Sequence, residues 1–493
     1  GLIVIPVDGP QSFVIHSSMS AEAATESVDE VTMEIPEDPA EESSPLESVA
    51  KLIPPSSFDK TVPSSETDGE LIAEASDDTE LVSTVPVETP PDTEVTVIEE
   101  TVPVSERAAM LDQYGGTSES EAAVSSALKW LALHQLADGS WCFDHRGPAC
   151  NGQCTQPGNM PRARVAATGL AVMTLQGAGN SCYDGPYRRN VEAGLNFVAL
   201  SAHPVPAGAD LRGVFEGPKG MYIQAISTIC LAQAVHQNAA ALKIAGPRAR
   251  QVGMKTRRQL EVETRQLGSL AQGGIQFIVT AQNSQGGWKY APGSNGGDTS
   301  VLGWGQTALV AARDAEIDVP DRTFQGMSLF LDSVQTQDGA LYGYEEPGSK
   351  ASTTAIGLFC RMHNGWDDSH EPFGRGVDFL RRRGPERNDM YYNYYASQVM
   401  RNWGGPSWEK WNGIMREQLV STQRTTGHLA GSWDVADQYG DAGGRLYMTC
   451  LAALTLEVYY RHVPLLDDVR IVYAIPSASD RISAATSTTQ RTK

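Results

Sequence analysis

Three carboxylates pose the chemical question in this sequence. Asp298, Asp389 and Asp441 each stand at the start of a segment rich in small and apolar residues. A carboxylic acid there can deliver a proton to an apolar substrate if its neighbours tune it. It can also simply cap the helix, since Asp and Ser accept hydrogen bonds from the orphan amides of a first turn. For Asp298, Ser352, Asp389 and Asp441 capping is the simpler reading. Residues suited to hold a ligand stand nearby: Tyr222, Trp304, Tyr391, Tyr394, Tyr395, Arg445 and Tyr447. Their spacing puts Tyr391, Tyr394 and Tyr395 on one helix face. Such a face lines a cation-stabilising cavity or packs between helices with its hydroxyls bonded. Cys142-Phe-Asp-His145 with Cys150 and Cys154 offers ligand types that zinc accepts. A Cys150 to Cys154 disulfide across a small Gly/Pro loop competes and is preferred for an exported protein, so no metal is assigned. No cofactor is called for. Cys230, Cys360 and Cys450 lie in apolar runs and read as core.

The elements that must position these residues come from a repeat. Ala127-Leu-Lys-Trp130-Leu131-Ala-Leu-His-Gln135-Leu-Ala-Asp-Gly139-Ser-Trp141 and Gly274-Ile-Gln-Phe277-Ile278-Val-Thr-Ala-Gln282-Asn-Ser-Gln-Gly286-Gly287-Trp288 keep one spacing. Its first half is a helix with one apolar stripe, and Gly-x-Trp is a turn that folds an indole back. The Gln amide has the reach to hold that turn. Worn copies follow: Met327, Phe330, Leu331, Gln335 and Gly339 with Leu341 in place of the Trp, and Gln418, Leu419 and Gln423 leading to Gly431-Ser-Trp433 through a turn four residues longer. Gly194/Phe197/Val198 and Gly376/Phe379/Leu380 keep only the helical half, which makes six units. Each is followed by a segment apolar on every side, such as Ala166 to Met173, and such a helix is buried on every side. Six outer and six inner helices describe a double ring or an open solenoid.

The spacing resembles the repeat of squalene-hopene and oxidosqualene cyclases and, more loosely, that of protein prenyltransferase β subunits, over about residues 120–462. The resemblance implies an all-α (α/α)6 toroid, closed, with the loops before the inner helices meeting at one mouth of a central cavity. In the bacterial cyclases the proton donor is the middle Asp of a D-x-D-D-T-A motif. The matching stretch here, Asn295-Gly-Gly297-Asp298-Thr299-Ser300, keeps the final Asp and Thr but has Asn295 and Gly297 at the other two acidic positions. Standard protonation-initiated cyclisation is therefore not expected. The prenyltransferase zinc pattern, an Asp-x-Cys pair with a distant His, is absent, and Asp367-Asp368 reads as a solvent-exposed pair on the other side of the ring. The function implied is a cavity for an apolar or polyprenyl-type ligand. The alternatives are a divergent terpenoid cyclase or lyase with its acid relocated to Asp389 or Asp441, and a non-enzymatic interaction scaffold at the cell envelope.

Charge is distributed very unevenly. Residues 1–106 hold 25 Asp and Glu against only Lys51 and Lys60, more than the whole chain's net charge of −22, so the remainder is close to neutral. A nearly neutral surface gives nucleic acid no basic face to bind. The organisation expected is a disordered acidic Pro/Ser/Thr-rich arm over 1–117, the toroid over 118–462 and a disordered tail over 463–493. No run reaches the ~18 apolar residues of a bilayer span. Gly1 to Val7, with no initiating Met, reads as a stretch left behind a removed signal or an anchor at the cell envelope. Because the arm's composition buries too little apolar area to offset its ordering entropy, deleting residues 1–106 is expected to leave the melting temperature of the head unchanged within a few degrees.

Overall fold

Outer and inner helices alternate along the chain in six pairs. The structure is a computed structural model and describes residues 104–461 apart from 149, 216, 218 and 438–439. Helix α1 spans Val104–Tyr114. The outer helices are α2 (Ser118–Leu133), α4 (Arg188–Leu200), α6 (Arg257–Ala281), α8 (Asp321–Val334), α10 (Glu371–Arg383) and α12 (Gly405–Thr422). The inner ones are α3 (Arg164–Gly177), α5 (Gly220–Ala245), α7 (Thr299–Asp314), α9 (Ala351–His363), α11 (Met390–Trp403) and α13 (Gly444–Leu456). Residue type separates the two classes. Every residue of α3 from Val165 to Gln176 is buried. Helix α10 buries only Phe373, Gly376, Val377 and Leu380, a single stripe, and turns three arginines to its end.

Neighbour packing makes the double ring closed. Inner helices touch in the cycle α3–α5–α7–α9–α11–α13, and α13 returns to α3, while outer α12 packs on α2. Glycine permits the close approach: a Cβ on Gly169 of α3 would meet the Ile226 carbonyl of α5 at 3.2 Å. The expected all-α toroid is therefore the observed architecture. Three two-stranded hairpins decorate the loops.

The repeat residues form a hydrogen-bonded device. The indole N–H of Trp141 donates to the Leu131 carbonyl, that of Trp288 to Ile278 and that of Trp433 to Leu419, each at 2.8 Å. The Gln amides act twice. Gln135, Gln282 and Gln423 each hold the turn glycine's carbonyl at 2.8–2.9 Å. The same nitrogens donate to Asn190, Thr323 and Ala123 carbonyls in the outer helix of the next unit. The last of these bonds joins the sixth unit to the first. Gly139, Gly286 and Gly431 have φ of 87°, 82° and 94°, which favours glycine, and a Cβ there would strike the backbone of that next outer helix.

In the unit that contains Met327 the structure corrects the sequence reading. Tyr342, not Leu341, takes the Trp place: its amide donates to the Thr354 hydroxyl at 3.1 Å as Trp141 and Trp433 donate to Thr168 and Thr449. Gln337, Asp338 and Gly339 all have positive φ, and this irregular turn shifts the register by one residue.

Helix α1 lies inside the stretch assigned to the acidic arm, so the ordered head begins before residue 118. Arg107 anchors it by donating to Glu121 at 2.7 Å, the Ala178 carbonyl at 2.6 Å and the Tyr460 hydroxyl at 2.8 Å. Beneath it Glu457 is fully buried with no hydrogen-bond partner on either carboxylate oxygen. Burial pushes its carboxyl up to about 8, against the pull of Arg461 and Arg107. The folded protein therefore holds a proton that the unfolded chain releases, and this group's contribution is complete at low pH and lost as pH rises from about 4.5 to about 8. Glu457→Gln is expected to flatten the fall in urea midpoint over that window, with the variant gaining on the parent as pH rises.

Candidate functional site

An outer helix returns the chain between successive inner helices, so all six inner helices start at one end of the ring. Four of the six have a first-turn amide tied to the loop that precedes the following inner helix. Met221 N–H donates to the Tyr290 carbonyl at 2.9 Å, Thr299 to Tyr344 at 3.1 Å, and Arg445 to Gln156 at 2.9 Å across the ring closure. Met390 N–H donates to the Asp437 carboxylate at 2.7 Å. At each of these four starts one amide that would otherwise attract an anion is thus already engaged.

Asp298 is the N-cap of α7. Its Oδ1 accepts from the Ser300 amide at 2.7 Å, the Ser300 hydroxyl at 2.5 Å and the Val301 amide at 3.3 Å. Its Oδ2 has no hydrogen-bond partner, and the residue is 0% exposed. Burial raises the carboxyl above its usual range although Ser300, Tyr344 and Tyr290 favour the ionised form. The Tyr290 and Tyr344 hydroxyls, bonded to one another, stand beside it. No atom of this acid is open to a ligand.

Asp389 also caps, accepting from the Tyr392 amide at 2.8 Å, but it keeps partial exposure. Burial pushes it up to about 6, with the charges of Asp437 and Glu386 adding to the rise. Asp441 neither caps nor lines anything: it is exposed, and Gly443 holds the cap position of α13. Ser352 does not cap either, since α9 begins at Ala351 with Lys350 before it and no side-chain cap. At α13 the loop before α3 supplies an acceptor instead, the Gln156 carbonyl for the Arg445 amide. Asp367 and Asp368 lie between α9 and α10, at the opposite end, as expected.

The aromatic candidates divide into a floor and a rim. Trp304 of α7 stacks on Tyr394 at 5.9 Å and Tyr391 at 6.5 Å and meets Tyr395 edge-on at 6.3 Å, all three on α11. Helices α7 and α11 flank α9, so these rings fill the interior. Trp304, Tyr394 and Tyr395 are buried. One turn nearer the mouth, Tyr222, Tyr391 and Tyr447 retain accessible surface, yet burial pushes each phenol well above its ordinary range, with Tyr222 and Tyr447 both acting on Tyr391. These phenols are thus largely withdrawn from bulk water while keeping some accessible surface. Tyr391 donates to the Ser300 carbonyl at 2.9 Å and Tyr222 meets the Ser300 hydroxyl at 2.5 Å. Arg445 belongs to neither group. Fully buried, it spends its guanidinium on the Thr155 carbonyl (3.1 Å), Ser432 (3.0 Å), Gln156 (2.8 Å) and Asp434 (2.6 Å).

The cysteines are arranged differently from the sequence expectation. All seven are free thiols, so the Cys150 to Cys154 disulfide is not formed. Cys142 turns aside to the Pro161 carbonyl at 3.4 Å and Cys182 to Asn238 at 3.2 Å. Cys150 and Cys154 instead gather with His134 and His428, whose ligand atoms all lie within 4.8 Å of one another. Sequence reading missed both histidines. His428 sits in the four extra residues of the last repeat's turn, which is the signal that could have found it.

No protein-family profile matches the chain, and no curated protein matches it significantly. Among solved structures it is similar to single-residue variants of MstE, a type II terpene cyclase from Scytonema. One is in complex with geranylgeranyl dihydroxybenzoate as substrate (TM-score 0.42, 12% identity, covering 73% of this chain and 99% of that one). The other is in complex with merosterolic acid A as product (TM-score 0.41, 13% identity, with the same coverage). At that degree of likeness no functional argument follows.

Proposed function

We propose that the starts of the inner helices enclose a recess at the mouth of the ring, and that it binds an apolar or amphipathic ligand of polyprenyl type without proton transfer from Asp298. The observation that carries the reading is the rim of Tyr222, Tyr391 and Tyr447, partly accessible but withdrawn from water, over a floor of Trp304, Tyr394 and Tyr395. Aromatic walls with a few polar atoms are the usual make-up of a small-molecule site.

Isothermal titration of the full chain with geranylgeraniol tests this. Saturable binding is expected, weakened at least tenfold in Tyr447→Trp, which fills the recess; absence of saturable binding by either geranylgeraniol or squalene would overturn the reading. Incubation with squalene is expected to give no pentacyclic product by mass spectrometry.

A second reading, acid catalysis at the rim, is favoured by the carboxyl of Asp389 standing near 6 beside Asp437. A product formed from squalene that survives Asp298→Asn and disappears in Asp389→Asn would establish it.

A further inference from the structure

His134 is the residue that ends α2, Cys150 and Cys154 lie in the loop leading to α3, and His428 lies in the loop between α12 and α13. The first repeat, through His134 and the loop after it, and the last, through His428 274 residues beyond Cys154, thus deliver two sulfurs and two imidazoles to one point. The Cys154 sulfur is 3.4 Å from His134 Nε2 and 3.2 Å from His428 Nδ1, and the Cys150 sulfur is 3.9 Å from His428 Nδ1. Zinc held tetrahedrally at ~2.3 Å from sulfur and ~2.0–2.1 Å from nitrogen sets S···N at roughly 3.6 Å. The observed distances bracket that value.

The surroundings prepare these atoms as ligands. His134 Nδ1 lies 2.7 Å from the Trp130 carbonyl, which accepts a hydrogen bond from Nδ1–H and so leaves the Nε2 lone pair toward the sulfurs. The indole of Trp130 stacks on that imidazole at 3.9 Å and fixes its plane. The Cys154 amide donates to the Cys150 sulfur at 3.2 Å. The Trp130 indole N–H, which has no oxygen or nitrogen acceptor, lies beside the Cys154 sulfur. Asn151 and Gly152 have positive φ, and this tight reversal puts both thiols on one side. His145 faces His134 edge-on at 5.8 Å and stays outside the cluster.

We propose that His134, Cys150, Cys154 and His428 form a Cys2His2 zinc site that staples the last repeat to the first and so locks the ring. Two soft thiolates with two imidazoles select zinc over hard cations. Four protein ligands leave no open position, which makes the role structural. The proposal is independent of what the mouth recess binds.

The full chain, produced and purified with zinc and without chelator, should carry one zinc per chain by elemental analysis. Replacement by Co(II) should give the visible absorption of a tetrahedral thiolate-imidazole complex. Chelation by 1,10-phenanthroline should lower the melting temperature and raise hydrogen exchange around His428. Cys154→Ser and His428→Ala should each lose the metal, while Cys182→Ser, which removes a thiol elsewhere, should keep it. A chain that binds no zinc after incubation with the ion would overturn the proposal. So would a Cys150 to Cys154 disulfide found by mass mapping, or unchanged zinc content in Cys150→Ser/Cys154→Ser. Because metal content and the cobalt spectrum are read on the unmodified chain, a variant that fails to fold leaves the test intact.

Discussion

Trp288→Ala is expected to cost about 3–5 kcal/mol in a urea titration, the range for removing a buried large aromatic. The indole is 2% exposed, and its six-membered ring lies 3.4 Å from the place a Cβ would take on Gly305 of α7. Its N–H holds the Ile278 carbonyl, one of the last carbonyls of α6, which no helical amide satisfies. Truncation therefore empties a space between an outer and an inner helix and orphans an acceptor at once. Trp288→Phe separates the two losses: it restores most of the packing without the donor, and should cost about 1–2 kcal/mol. The same pair of substitutions at Trp141 and Trp433 should behave alike, because their indoles are equally buried and their bonds equally long. A cost below about 1 kcal/mol at any of the three would mean that its unit does not use the device.

The ring is legible in the sequence because three of its turns use the same few residue types: an indole that reaches a helix-end carbonyl, an amide with two donors, and a glycine where a Cβ would strike the next helix. What hides is whatever lies between distant segments. The irregular turn at Gln337 and Asp338 conceals that Tyr342 stands for Trp, since positive φ at these residues has no firm sequence signature. The acidic composition upstream conceals α1, whose attachment depends on partners far away in sequence: Arg107 meets the Ala178 carbonyl and Tyr460, and Trp408 and Asn412 donate to the Tyr114 carbonyl. Asp441 and Ser352 look like caps in the sequence, but α13 starts after Gly443 and α9 after Lys350, so neither stands at the cap position. The tyrosines show their common helix face in the sequence. Only the crossing of Trp304 from α7 to α11 decides which of them form a floor and which a rim.

Arg445→Met is expected to cost about 3 kcal/mol or more, although methionine nearly conserves the volume. The guanidinium side chain is 1% exposed, and its partners Thr155 and Gln156 belong to the first repeat's loop while Ser432 and Asp434 belong to the last. Losing it leaves the Thr155 carbonyl and the fully buried Ser432 hydroxyl without this donor, and each buried polar group left unsatisfied costs about 1–3 kcal/mol. Asp434→Asn is the contrast. That carboxylate is 46% exposed, so water replaces the ion pair and the loss should stay under about 1 kcal/mol. A repeat ring differs from a solenoid in having a first-to-last interface, here made by the Gln423 bond to Ala123, the Arg445 clamp and the His/Cys cluster. Weakening that interface should open the ring at one seam rather than loosen it evenly. In Arg445→Met, hydrogen exchange should therefore rise first in α2, α12 and α13 and remain slow in α7 and α9. Uniform acceleration around all six units would show that stability is shared equally and that the seam has no special role.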